Sequence, residues 1–157
     1  MASQHKKGST GSAPVLHRAA DDLRSADRLI KRFRTLCLSF PETSEVSSWS
    51  HPNFRAGKKI FATVEWLKGR PSFAFRLGAK AAAQFRSRHG EFFFTPYGRN
   101  QWLSVWIDTP VRWRLLAGLA DRSYRLVALK RMLAVLDGAL SSRRTPLCGA
   151  NIRPRAR

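Results

Sequence analysis

The sequence predicts a two-layer α+β domain in which helices cover one face of an antiparallel sheet. Three observations lead there. Early in the chain, apolar residues recur every three or four positions, the period of a helix with one buried face. In the middle the period changes to two, and short glycine-bearing turns break it as they do between antiparallel strands. After Thr109-Pro110, an N-cap residue followed by proline at a first helical position, the helical period returns.

The first helix is predicted from Asp21. Leu23, Ala26, Ile30, Phe33, Cys37 and Phe40 share one face, Asp21 and Asp22 complement the helix dipole, and Pro41 ends the helix. Residues 41–52 read as a loop. Short strands are predicted at Phe54, Lys59–Val64 and Ser72–Arg76, joined by Arg55-Ala56-Gly57-Lys58 and Lys68-Gly69-Arg70-Pro71. An alanine-rich helix over 80–89 stops at Gly90. Glu91–Thr95 and Gln101–Ile107 form a second strand pair around Pro96-Tyr97-Gly98-Arg99-Asn100. A helix over about 110–120 carries Trp113 and Leu116, and Asp121 is a fresh N-cap for the next. In that last helix Leu126, Leu129, Leu133, Leu136 and Leu140 form a stripe, read as core because it spans only two heptads. The order is helix, three strands, helix, two strands, then C-terminal helices, with the helices on one side of the sheet.

Residues 1–19 read as a disordered N-terminal tail, 20–140 as the domain, and 141–157 as a basic flexible tail. The 157 residues include 29 Lys and Arg against 10 acids, a net charge of +19. Eight of the basic residues lie in the tails, leaving 21 against all 10 acids, about +11 in the domain itself. Such a field attracts phosphate polymers and repels basic partners. A host with arginine-rich proteins is the alternative source of the charge. Cys37 and Cys148 have no metal spacing and make no disulfide framework, which suits a reducing, cytoplasmic setting. No apolar run is long enough for membrane insertion.

Four segments carry a family resemblance. They are Leu38-Ser39-Phe40-Pro41-Glu42-Thr43, the block from Ser48-Trp49-Ser50-His51-Pro52-Asn53-Phe54 to Lys59-Ile60-Phe61-Ala62, Gln101-Trp102-Leu103-Ser104-Val105, and Ser123-Tyr124-Arg125-Leu126-Val127-Ala128. In this order and spacing the chain resembles the MmcQ/YjbR family over about Leu36 to Leu133. Ser50 stands where that family usually has Gly. The resemblance implies a five-stranded antiparallel sheet and DNA binding through a double wing of β-hairpins.

Phosphate contact needs Lys and Arg on projecting elements. The hairpin tips offer Arg55, Lys58 and Lys59 at one turn, Lys68 and Arg70 at a second and Arg99 at a third. Charged turns also serve solubility, so both readings stand. Arg122 and Arg125 share a helix face and, with Lys130 and Arg131, form a second basic set. Trp102 and Trp106 share a strand face and read as core, whereas Trp66, beside the Lys68 turn, is the candidate for stacking on a base. The expected partner is DNA, bound mainly electrostatically and with weak sequence selectivity.

The chain is not expected to be an enzyme. His51 has no nucleophile elbow or oxyanion segment beside it, and the scattered acids form no paired-carboxylate or metal cluster. No cofactor and no small-molecule substrate are expected. The alternative reading is a protein-interaction module, or a homodimer using the open sheet face.

Overall fold

The structure is a computed structural model and describes residues 13–48, 51–108, 110 and 112–144. It holds four helices and one six-stranded sheet: α1 (Ala13–Leu38), β1 (Thr43–Ser48), β2 (His51–Ala56), β3 (Lys59–Leu67), β4 (Arg70–Arg76), α2 (Ala79–Arg88), β5 (Phe92–Phe94), β6 (Trp102–Trp106), α3 (Trp113–Val127) and α4 (Lys130–Arg144). The strands lie in the order β1-β2-β3-β4-β6-β5, and every neighbouring pair is antiparallel.

The expected α+β class holds, with one strand more than expected. Residues 41–52 read as a loop because only Val46 is apolar between Thr43 and Ser48. That stretch instead forms β1, which lies at the sheet edge and pairs only with β2. An edge strand has one neighbour to satisfy and tolerates this polarity.

The sheet register sorts the side chains. Phe54, Ala62, Phe75, Leu103 and Phe94 form one row across five strands, and Val64, Phe73, Val105 and Phe92 a second on the same face. This face meets the helices. The buried α1 residue Phe33 stacks on Phe73 at 4.1 Å and meets Phe54 and Phe75 edge-on. Phe85 of α2 meets Phe92 edge-on. Leu116, Leu119, Ala120 and Tyr124 bring α3 into the same core. The other face carries Asn53, Thr63, Ala74, Ser104 and Phe93 in one row, and Glu65, Ser72 and Trp106 in the next.

Four expectations about the helices change. α1 begins at Ala13 rather than Asp21, so residues 13–19 belong to a helix and not to the expected tail. Pro14 does not prevent this, because proline is tolerated in a first helical turn. Residues 1–12 and 145–157 lie outside the described residues, as do the expected cap Thr109 and the motif residues Trp49 and Ser50. The expected tail boundary at 141 also moves, since α4 continues to Arg144. Asp121 is not an N-cap but sits inside α3, paired with Arg125 one turn on. The leucine stripe is split where Ala128, with ψ 149°, leaves the helical conformation between α3 and α4. As a result only Leu133 and Leu136 pack on the core, while Leu126, Leu129 and Leu140 are exposed.

Candidate nucleic-acid interface

Consecutive hairpins in a meander turn at alternate ends of the sheet. The β2–β3 turn, Gly57-Lys58, therefore lies at one end of β3, and the β3–β4 turn, Lys68-Gly69, at the other. Nine residues of strand separate these ends by roughly 25–30 Å. Gly57 (φ 60°) opens its two-residue turn in the left-handed region, and Lys68 (φ 52°) and Gly69 (φ 77°) both adopt it, as a type I′ hairpin requires.

Basic side chains gather at the Gly57 end. Lys58 and Lys59 are exposed there, and Arg55 is half-buried with its Nε lacking a partner among the described residues. The loop before β6 comes to the same end, because the amides of Leu77 and Gly78, just past β4, donate to the Gln101 carbonyl at 2.9 and 3.1 Å. That loop presents Arg99, exposed and at φ 49°. Its shape depends on Gly98, where an added Cβ would come within 2.5 Å of Trp102 Cδ1. The buried Ser123 hydroxyl ties α3 to this end by donating to the Phe61 carbonyl and accepting from the Arg76 amide at 2.9 Å. Arg122 is beside it and exposed.

Lys80, which sequence reasoning did not single out, joins this group from the first turn of α2, directly after Gly78. Its signal was the proximity in sequence to the β4 terminus. Lys130 opens α4, whose Met132 Cε would lie 3.4 Å from a Cβ on Gly57. None of Lys58, Lys59, Lys80, Arg99, Arg122 and Lys130 is in an ion pair among the described residues. Glu42 is held by the Arg131 fork at 2.9 and 2.6 Å, and that guanidinium keeps its carboxyl below the usual range.

The remaining expected site residues are placed differently. Lys68 is exposed at the far end of the sheet. Arg70 forks onto Asp108 at 2.8 and 2.9 Å and lies 4.3 Å over the Trp106 ring. Arg125 is divided between Asp121 and Asp137. Both guanidiniums are thus engaged inside the protein. Trp66 is 41% exposed, and its indole stacks on the His51 ring at 5.7 Å and 13°.

Trp102 and Trp106, expected in the core, are only half-buried, on the face turned away from the helices. Phe93 stacks on Trp106 at 4.6 Å. Strand order puts Arg70 and Phe93 on opposite sides of β6, so the Trp106 ring is sandwiched between them. Trp102 packs against the backbone at Gly98. Both indoles serve to fix the sheet face and the loop.

On that face Glu65 is 4% exposed, and its Oε2 has no hydrogen-bond partner among the described residues. Burial raises its pKa to about 7. Burial likewise pushes the Cys37 thiol well up. Among the described residues no group of three or more His, Cys, Asp or Glu is arranged to hold a metal ion, and no helix is long and apolar enough to cross a membrane.

The fold has solved counterparts. Protein DR2400 of Deinococcus radiodurans, described with a DUF419 domain, is similar with a TM-score of 0.55 and 18% identity, covering 69% of this chain and 87% of that one. A protein from Pseudomonas syringae is similar with a TM-score of 0.54 and 12% identity, covering 62% of this chain and 97% of that one. At these identities the likeness is one of fold. No curated protein matches the chain. The model of the YjbR family matches residues 38–126, from the end of α1 into the last turn of α3. With that match extending over more than half of its length, the chain belongs to the YjbR family.

Proposed function

We propose that the protein binds DNA, and that the Gly57 end of the sheet makes the contact. The observation that supports this is the gathering of Lys58, Lys59, Lys80, Arg99 and Arg122 from a hairpin, a loop and two helices, while Glu42 is engaged by Arg131 and Asp121, beside Arg122, by Arg125. The β2–β3 hairpin and the 95–101 loop act as the two wings. Binding is electrostatic and weakly selective, since the cations sit on turns and helix ends and none forms a bidentate pair suited to reading a base edge. If these five cations neutralise about five phosphates, log affinity for duplex DNA falls against log salt with a slope near −4 to −5. A salt series with a short duplex tests the proposal, and a slope near zero would refute it.

A second reading, contact with a protein partner or a second copy, draws support from the exposed Leu126, Leu129, Val135 and Leu140. Sedimentation of the isolated chain over a concentration series tests self-association.

A further inference from the structure

Between α1 and the strands β1–β3 runs a groove of about 660 Å³, toward the sheet end that bears Lys68 and away from the basic cluster. One wall is the Trp66 indole, the other the α1 face with Asp27, Lys31 and Arg34, and Glu45 of β1 lines the groove between them. The volume suits one nucleotide-sized group.

The walls differ in chemistry. Trp66 is held by its parallel stack on His51, so little ordering is left for the indole to undergo when a flat group lies against it. Every nucleobase offers such a face, and stacking on an aromatic side chain is worth about 1–3 kcal/mol per base. Arg34 Nε and Nη2 pin Glu45 at 2.7 and 3.0 Å, which fixes that carboxylate in the groove. Carboxylates accept hydrogen bonds from exocyclic amino groups, which adenine, cytosine and guanine carry and thymine lacks. Lys31 is exposed on the α1 side, and Lys68 is two residues beyond Trp66. Lys31 lines the groove itself, and Lys68 stands in the turn that follows its Trp66 wall, so a strand leaving the groove toward that turn would pass both cations.

We propose that this groove receives one unpaired nucleobase of single-stranded DNA, stacked on Trp66, with its edge toward Asp27 and Glu45 and its phosphates toward Lys31 and Lys68. The inference rests on the DNA-binding reading above and adds a second contact, distinct from the duplex-binding end.

The test uses the full chain and fluorescence anisotropy with four probes: an adenine oligomer of about 8 nucleotides, a thymine oligomer, an abasic oligomer with the same number of phosphates, and a duplex. The adenine oligomer is expected to bind about 5–150-fold more tightly than the abasic one, and more tightly than the thymine one. Trp66→Ala is expected to erase the preference over the abasic chain while leaving duplex affinity unchanged. Trp66→Phe, which keeps a stacking ring, is expected to retain most of it. Equal binding of the base-bearing and abasic oligomers, or a preference that survives Trp66→Ala, would overturn the groove while the duplex arm still stands. Full displacement of the adenine oligomer by equimolar free adenosine monophosphate would overturn the polymer in favour of a free nucleotide. Failure to bind any of the four probes would overturn the DNA reading and the groove with it.

Discussion

Lys58 and Lys68 stand at opposite ends of β3, at the tips of two successive hairpins. The gap of roughly 25–30 Å is about three Debye lengths at physiological salt. The two tips therefore do not reinforce one another's field, and the second is not part of the cluster formed with Arg99 and Arg122. Lys58→Ala with Lys59→Ala is expected to make the salt slope for duplex binding shallower by about 2, whereas Lys68→Ala should leave it unchanged. Binding isotherms at several salt concentrations check both. A larger effect from Lys68→Ala would place the duplex at the other end.

Arg70 looks like a wing cation in sequence, yet it is committed to Asp108 and Trp106. Arg70→Ala is expected to lower the thermal unfolding midpoint without weakening duplex binding. Arg70→Lys should not restore the midpoint, because an ammonium cannot reproduce the planar fork and stack together. Calorimetry beside a binding measurement separates the two effects.

Glu65 makes stability depend on pH in the direction opposite to a salt-bridged acid. Its carboxyl ionises near the ordinary value of 4.5 when unfolded and at about 7 when folded. Between these pH values the native state holds the extra proton, so stability falls as pH rises through this window and the full penalty is present above it. Glu65→Gln is expected to remove this dependence and to gain up to about 3 kcal/mol at pH 8. Urea unfolding at pH 5 and pH 8 measures it. An unchanged difference between the two pH values would show that the carboxylate is hydrated in the native state.

Ser123→Ala strips the hydroxyl from a buried junction, leaving the Arg76 amide without its acceptor. An unsatisfied buried group costs about 1–3 kcal/mol. The same loss frees α3 from the ends of β3 and β4, so weaker duplex binding is expected alongside lower stability. Denaturant titration and the salt series read out the pair.

Much of this architecture was legible in the residues. The α1 face from Ala26 to Cys37, the glycine turns at Gly57 and Gly69 and the helix over 79–88 follow from period and turn chemistry. β1 did not, because a polar edge strand carries no apolar alternation to read. The break after Val127 did not either, since no Gly or Pro marks it. Arg70 and Asp108 are 38 residues apart, and nothing local couples them. The sequence alone groups Lys58, Lys59, Lys68 and Arg70 as wing cations, and the strand register, which turns successive hairpins at alternate ends of the sheet, is what separates Lys58 from Lys68.

Amide chemical-shift mapping with a short duplex tests the central claim most directly. At low salt, shifts are expected to concentrate at Arg55–Lys59, Lys80, the loop around Arg99 and Arg122, and to be small at Lys68 and Arg70. Shifts centred on Lys68, or spread evenly over all exposed basic residues, would contradict it.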